Sequence, residues 1–395
     1  MRIAFVTPEY ITEKNWDGGL ANHLGRVCPA LAEMGHEVVV VVASHLEGKI
    51  IQDGVEVCRV RGSATALSWM NRSTLWKLQD ANRWIFQSWA FNRAVARFHR
   101  DRPFDLVQYA SYTATGLFRL KSVPRVVRVS SYEPLLQKAY EVPATPDNRL
   151  RGWLDKVAIR RVDGIFGPSR LIAEVVEKET GRPVEVIEPP FTLDRREWDE
   201  QPYRDQLEGK KYLLFFGTLG VLKGVCTIAE VLQSLLEANP ELNLVLIGKN
   251  TNYQGRPIID YVWEKAGSFR GRVLYLGKMK HCQLHPIISH ATAVVLPSRI
   301  DNLPNTCLEA MALKRIVIGS RGASFEQLIE DGKNGFLCPP DSPEELLAMI
   351  KKALELSASE RRDMGDKAAK RVEKLRPETA ISYLVDYYRD VIASC

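Results

Sequence analysis

Two carboxylates eight positions apart, Asp301 and Glu309, stand in a stretch that is otherwise mostly apolar: AVVLPSRIDNLPNTCLEAMALKRIVIGSRG, residues 293–322. Residues 293–296 carry two valines and no polar side chain, the pattern of a strand covered on both faces. Pro297 and Ser298 stop it. Asn302, Pro304 and Asn305 then offer helix-start chemistry, since Asn caps free amides and Pro belongs in a first turn. The helix expected over 306–313 holds Cys307, Leu308, Ala310, Met311, Ala312 and Leu313, so Glu309 should be buried. A buried carboxylate is costly unless something donates hydrogen bonds to it or balances its charge. The hydroxyls of a ribose would do so. Ligands of open α/β sheets bind at the carboxyl ends of strands, where a helix N-terminus presents amides to phosphate, and Asp301 lies in the loop leaving the strand. The stretch therefore predicts an anionic ligand with a hydroxylated portion. A purely structural alternative has Asp301 capping the helix and Glu309 in an internal ion pair.

The run PSRIDNLPNTCLEAMA, with seven residues between its carboxylates, resembles the retaining nucleotide-sugar glycosyltransferases of the two-Rossmann-domain (GT-B) architecture, glycosyl transferase group 1 or family 4. The family usually has Glu at both positions; here the first is Asp301, one methylene shorter. The resemblance implies that Glu309 holds the donor ribose. It implies that Asp301 and the backbone along Asn302, Leu303, Pro304, Asn305 and Thr306 hold the transferred sugar and the phosphates. Upstream, 212–216 (YLLFF) reads as a strand running into Gly217-Thr218-Leu219-Gly220-Val221-Leu222-Lys223-Gly224. A lysine in such a turn places a point charge on a diphosphate, where charge develops as the sugar leaves. The family pattern has Arg where Thr218 stands, so one of two expected phosphate cations is kept.

The elements that must position these groups follow in order. Residues 2–8 and 38–43 (VVVVVA) read as strands flanking a helix over 25–35, spaced through Leu24, Val27, Leu31 and Met34, which makes a βαβ unit. Gly18 and Gly19 lie in the first loop, where two glycines let backbone approach a phosphate or sugar closely; in the family such a loop faces the interdomain cleft. Residues 105–109 and 125–129 read as further parallel strands. The family tends to place a His after the latter, where this chain has Ser130, so Arg128, Ser130 and Ser131 are expected on the acceptor side. Residues 184–187 end the first domain, and Pro189-Pro190 with the charged stretch 194–211 reads as a linker. Strands at 243–248 and 273–277, a small loop at 321–324 and a helical tail from 343 complete the second domain. The last helix resembles the one that crosses back onto the N-terminal domain in this family.

At 395 residues the chain is too long for one ordinary core. The expected domains are 1–190, to which 376–395 returns, and 212–375, joined by a linker at 191–211. Apolar residues make 45% and charged ones 26%, without a run of 18 apolar residues, which excludes wholesale disorder and a transmembrane helix. The N-terminus enters a strand directly, without signal-peptide regions, and seven scattered cysteines read as reduced thiols of a cytoplasmic protein. His281, His285 and His290 have only Cys282 nearby in sequence, so no metal site is expected. The net charge of +6 suits anionic ligands without demanding nucleic acid. Much of the basic excess lies in 68–100, where Trp69, Trp76, Trp84, Phe86, Trp89 and Phe91 alternate with arginines and a lysine. Such a helix either packs its aromatics on the sheet or lies peripherally on the inner face of an anionic membrane, and packing is the expectation.

The sequence thus predicts an α/β GT-B protein: two Rossmann-like, doubly wound parallel-sheet domains facing a cleft. The donor, a UDP-, GDP- or ADP-sugar, belongs to the C-terminal domain. The acceptor hydroxyl, of a glycan, a lipid-linked or a small molecule, belongs mostly to the N-terminal one. Family analogy adds retention of configuration, a hexosyltransferase activity and independence of metal or cofactor. No side chain is an evident nucleophile, so catalysis would be electrostatic, with Lys223, the amides after Asp301 and the Gly18-Gly19 loop stabilising the departing diphosphate. The alternatives are an epimerase or hydrolase of the same fold and, given Thr218, Asp301 and Ser130, a non-catalytic nucleotide-sugar-binding protein.

Overall fold

The computed structural model describes residues 1–13, 19–61, 78–193 and 198–395. It divides into two compact units, Met1–Pro190 with Arg376–Cys395, and Phe191–Leu375.

In the first unit, strands β1 (Arg2–Thr7), β2 (Glu37–Ser44), β3 (Gly48–Gln52), β4 (Val55–Arg61), β5 (Leu106–Ala110), β6 (Arg125–Arg128), β7 (Gly164–Gly167) and β8 (Glu185–Val186) form one sheet among the described residues. Its order is β3-β4-β2-β1-β5-β6-β7-β8, parallel except for the β3–β4 pair. The five consecutive valines of β2 are all buried, as a strand covered on both faces requires. One face is covered by the helices Gly19–Glu33 and Pro377–Ala393 through Leu24, Val27, Leu31, Leu384 and Val385. The other is covered by Gln79–Asp101 and Arg170–Thr180 through Phe91, Val95, Ile172 and Val176. The buried Tyr388 of the last helix donates its hydroxyl hydrogen to Gln108 Oε1 on β5.

Two expectations need correcting here. The first helix starts at Gly19, not near residue 25, because Leu20 and Ala21 extend its buried stripe by another turn, and Met34 falls beyond its end, 47% exposed. The basic aromatic helix packs only in part. Trp84 and Phe91 are buried, whereas Trp89 is 47% exposed beneath the Arg93 guanidinium, 4.7 Å from its ring centroid. Trp69 and Trp76 lie outside the described residues. No described helix is long and apolar enough to cross a membrane.

The second unit holds β9 (Lys211–Phe216), β10 (Leu242–Ile247), the short hairpin β11 (Asn252–Tyr253) and β12 (Arg256–Pro257), β13 (Val273–Tyr275), β14 (Ala293–Leu296), β15 (Val317–Ser320) and β16 (Phe336–Cys338). Apart from the hairpin these form a wholly parallel sheet of order β13-β10-β9-β14-β15-β16. The described part of the stretch expected as a linker is packed structure of this unit. Its helix Gln201–Leu207 buries Leu207 completely and stacks Tyr203 on His290 with ring centroids 4.0 Å apart. Both sheets reverse strand order at a central strand, β1 in one and β9 in the other, which is where doubly wound proteins bind ligands.

Candidate active site

At the carboxyl end of β9 the chain turns through Gly217 and a short 3-10 turn, Val221–Lys223, into the helix Val225–Ala238. Gly224 joins the two with φ +75°, and a Cβ there would lie 1.9 Å from the carbonyl oxygen of Pro297. The lysine turn therefore touches, backbone to backbone, the exit of β14. The amide of Arg299 donates to Leu222 O at 2.9 Å and fixes the same approach. This close contact brings Lys223 to the loop carrying Asp301, with Nζ 2.5 Å from Oδ2. The other carboxylate oxygen accepts the amide of Asn302 at 3.0 Å, and Ser324, from the loop after β15, donates its hydroxyl to the Asp301 carbonyl at 3.0 Å.

The helix that follows, Asn305–Ala312, begins after Pro304 and has no side-chain cap. Asn302 and Asn305 do not cap it, contrary to expectation, and neither does Asp301, whose carboxylate is turned to Lys223. Helix starts leave amides without intrahelical partners, so an uncapped start beside a lysine is a place where an anion gains both hydrogen bonds and charge. Gly217 adjoins it: a Cβ on Gly217 would meet Thr306 Cγ2 at 3.6 Å. Thr218 is exposed. Gly217, Thr218, Lys223, Asp301, Asn302, Leu303, Pro304, Asn305 and Thr306 thus all follow the carboxyl ends of the adjacent central strands β9 and β14.

One turn into that helix, Glu309 is buried as expected, 6% exposed. The side chains facing its carboxylate are two histidines, which the sequence suggested only as metal ligands. His285 Nε2 lies 3.7 Å from one carboxylate oxygen and His281 Nε2 3.8 Å from the other. Both come from the helix His281–His290; their four-residue spacing was the available signal, and nothing in it pointed to Glu309. Among the described residues no group of three or more His, Cys, Asp or Glu side chains is placed to hold a metal ion.

The remaining candidates belong to the first unit. Gly18 lies outside the described residues, and Gly19 is the exposed first residue of its helix. Arg128, the last residue of β6, is 6% exposed, and its Nε has no hydrogen-bond partner. Burial pushes its guanidinium down to about 10. Burial and the like charges of Arg128 and Arg26 hold the neighbouring His23 well below the usual imidazole range. Ser131 is tied to Ser111, whose hydroxyl donates to the Ser131 carbonyl at 2.6 Å, and the Ser130 amide donates to Arg128 O at 3.0 Å.

Two doubly wound parallel sheets, each with its candidate groups at the carboxyl ends of the strands, place the chain among two-domain Rossmann-like α/β proteins. Residues 197–371 match the family described as Glycosyl transferases group 1 and residues 17–195 the one described as Glycosyltransferase Family 4. The chain belongs to these GT-B glycosyltransferases. It is 23% identical over 334 residues to the alpha-D-kanosaminyltransferase of Streptomyces kanamyceticus, over 82% of this chain and 83% of that one. Sucrose-phosphate synthase from Thermosynechococcus elongatus superposes with a TM-score of 0.76 at 18% identity, over the full length of both chains. HepE of Anabaena, in complex with UDP and glucose, does so with a TM-score of 0.68 at 17% identity, over 98% of each chain. These structural likenesses carry the fold. The kanosaminyltransferase and the sucrose-phosphate synthase are named for sugar transfer or synthesis, not for epimerisation.

Proposed function

We propose that the protein transfers a sugar from a nucleotide diphosphate sugar to an acceptor hydroxyl with retention of anomeric configuration, without metal or cofactor. The observation that carries this reading is the Lys223–Asp301 pair beside the uncapped start of the helix Asn305–Ala312. The HepE complex with UDP and glucose supports a nucleotide-sugar donor. In the reaction the bond between the anomeric carbon and the diphosphate oxygen breaks, and a bond from that carbon to the acceptor oxygen forms. Lys223 and the helix amides stabilise the charge growing on the diphosphate, and a diphosphate oxygen takes the acceptor proton. Asp301, held by Lys223 and the Asn302 amide, contacts the transferred sugar, and Glu309 accepts hydrogen bonds from the ribose. Arg128 serves the acceptor side in the first unit. The protein works in the cytoplasm, where nucleotide sugars are supplied.

The test begins with UDP, GDP and ADP in a thermal-shift screen, followed by release of the diphosphate from the matching sugar donors. Acceptor-dependent release supports transfer; acceptor-independent turnover supports hydrolysis; binding without turnover supports a non-catalytic binding protein. Glu309→Gln should weaken donor binding and leave the melting curve unchanged. Unaltered donor affinity in that variant rules out its assignment.

A further inference from the structure

Glu309 lies between two imidazoles and reaches neither by a hydrogen bond. His281 and His285, four residues apart on one helix, share a face, and their ring centroids stand 5.6 Å apart. The gaps of 3.7 Å and 3.8 Å to the two carboxylate oxygens are too long for direct hydrogen bonds. His285 is 7% exposed, with Trp198 packed 6.2 Å from its ring. Neither of its ring nitrogens has a hydrogen-bond partner, and neither does Glu309 Oε2. A buried carboxylate and a buried imidazole left unsatisfied side by side carry a desolvation cost that a third group between them would remove. An oxygen about 2.8 Å from each of two such atoms spans a separation of this size, subtending an angle of roughly 80°, and at the buried Oε2 and His285 Nε2 it enters by a small shift of the side chains. A hydroxyl has the chemistry for it, since it donates to the carboxylate and accepts from an imidazole N–H.

Two such gaps, one at each oxygen of a single carboxylate, match two adjacent hydroxyls. We infer that His281 and His285 complete, with Glu309, a clamp for the vicinal diol of the donor ribose. Each hydroxyl donates to one carboxylate oxygen and accepts from one histidine Nε2–H. The histidines are then specificity-determining residues that select ribonucleotide over deoxyribonucleotide donors. The side chain of His281 is 60% exposed and that of His285 9%, so the diol enters with one hydroxyl deep, against His285, and one at the rim, against His281. The inference rests on the ribose role proposed for Glu309, and the two fail separately in the experiment below.

The experiment is a cycle of ligands against variants, read by calorimetry, using whichever of UDP, GDP and ADP binds, in its ribo, 2′-deoxy and 3′-deoxy forms. The parent protein should lose about tenfold in affinity when either hydroxyl is removed. His285→Leu, close in volume but without a donor, should lose a similar factor for the ribo form and nothing further on one of the two deoxy forms. His281→Ala should behave in the same way toward the other deoxy form. His285→Gln, which keeps a donor near the Nε2 position, should recover most of the loss. His281 is exposed, so its variant is readable even where His285→Leu does not fold. Equal affinity of the parent for all three forms overturns the ribose reading of Glu309, and the clamp with it. Discrimination present in the parent and undiminished in both histidine variants leaves Glu309 in place and overturns the histidines' part.

Discussion

Removing the Lys223 ammonium should separate catalysis from stability by a margin wide enough to measure. Nζ stands 2.5 Å from Asp301 Oδ2, and the two side chains are 38% and 16% exposed. An ion pair that open contributes about 0–1 kcal/mol to folding, which for a chain of this size moves the melting temperature by only about 2–4 °C. A cation placed where diphosphate charge develops is worth more, about 2–4 kcal/mol of barrier as for single oxyanion-stabilising donors, or roughly 30- to 1000-fold in kcat. Lys223→Met keeps the stem and removes the charge. It leaves the Asp301 carboxylate with the Asn302 amide and removes the ammonium from beside the start of the helix Asn305–Ala312. Diphosphate release at saturating donor should therefore fall by that factor, while the melting curve stays within a few degrees. A variant within about threefold of the parent would show that the phosphates lie elsewhere. A drop in melting large enough to explain the lost turnover would make the pair structural.

Three further outcomes follow from single sites. Gly224→Ala should destabilise the second unit strongly, since it adds a backbone clash at 1.9 Å to the left-handed penalty; Gly322→Ala, with φ +73° and nothing near its Cβ, should lose only about 1 kcal/mol. Equal melting of the two would sink the close-approach account. Burial, helped by the Glu133 charge and opposed by the Glu133 amide, holds the Asp155 carboxyl well above the usual range. The unfolded chain therefore ionises there from about pH 4 while the folded one resists, and stability is lost as pH rises. Asp155→Asn should melt above the parent at pH 7.5, with the difference gone near pH 3.5; the opposite slope refutes the assignment. Arg128→Met should leave stability level or higher, because an unpaired buried charge is replaced by an apolar stem, while the KM for acceptor rises. Unchanged acceptor kinetics would remove Arg128 from the acceptor side.

The strands were legible because parallel, doubly covered strands are apolar without interruption: VVVVVA, YLLFF, NLVLIG and AVVL all became strands of the two sheets. Boundaries marked by glycine or charge were less so. Gly19 opens a helix although a glycine pair reads as a turn, since the buried stripe through Leu20 and Ala21 outweighs the propensity cost of one glycine. The charged stretch after Pro190 reads as linker by composition, yet Tyr203 and Leu207 stand in it at helical spacing and, with Trp198 ahead of the helix, pack on the core of the second unit. Asn302 and Asn305 promised a cap, but the loop conformation that delivers Asp301 to Lys223 puts Pro304 at the cap position.

A sequence pattern states what a residue needs more readily than who supplies it. Glu309 declared its need for a partner by sitting inside an apolar helix, and the structure buries it without a protein hydrogen bond to Oε2. The histidines flanking it come from another helix, and no local periodicity in one helix registers the facing side of the next. Arg128 is the parallel case in the first unit: a cation ending an apolar strand, buried, with Nε unpaired. Native proteins satisfy nearly all buried polar groups, and departures from that rule concentrate at functional sites. Glu309 and Arg128 are two of several such groups among the described residues, and they are the two to which the proposed transfer would bring a donor and an acceptor. The carboxylate suits neutral hydroxyls that donate, and the guanidinium suits an acceptor that brings lone pairs or negative charge.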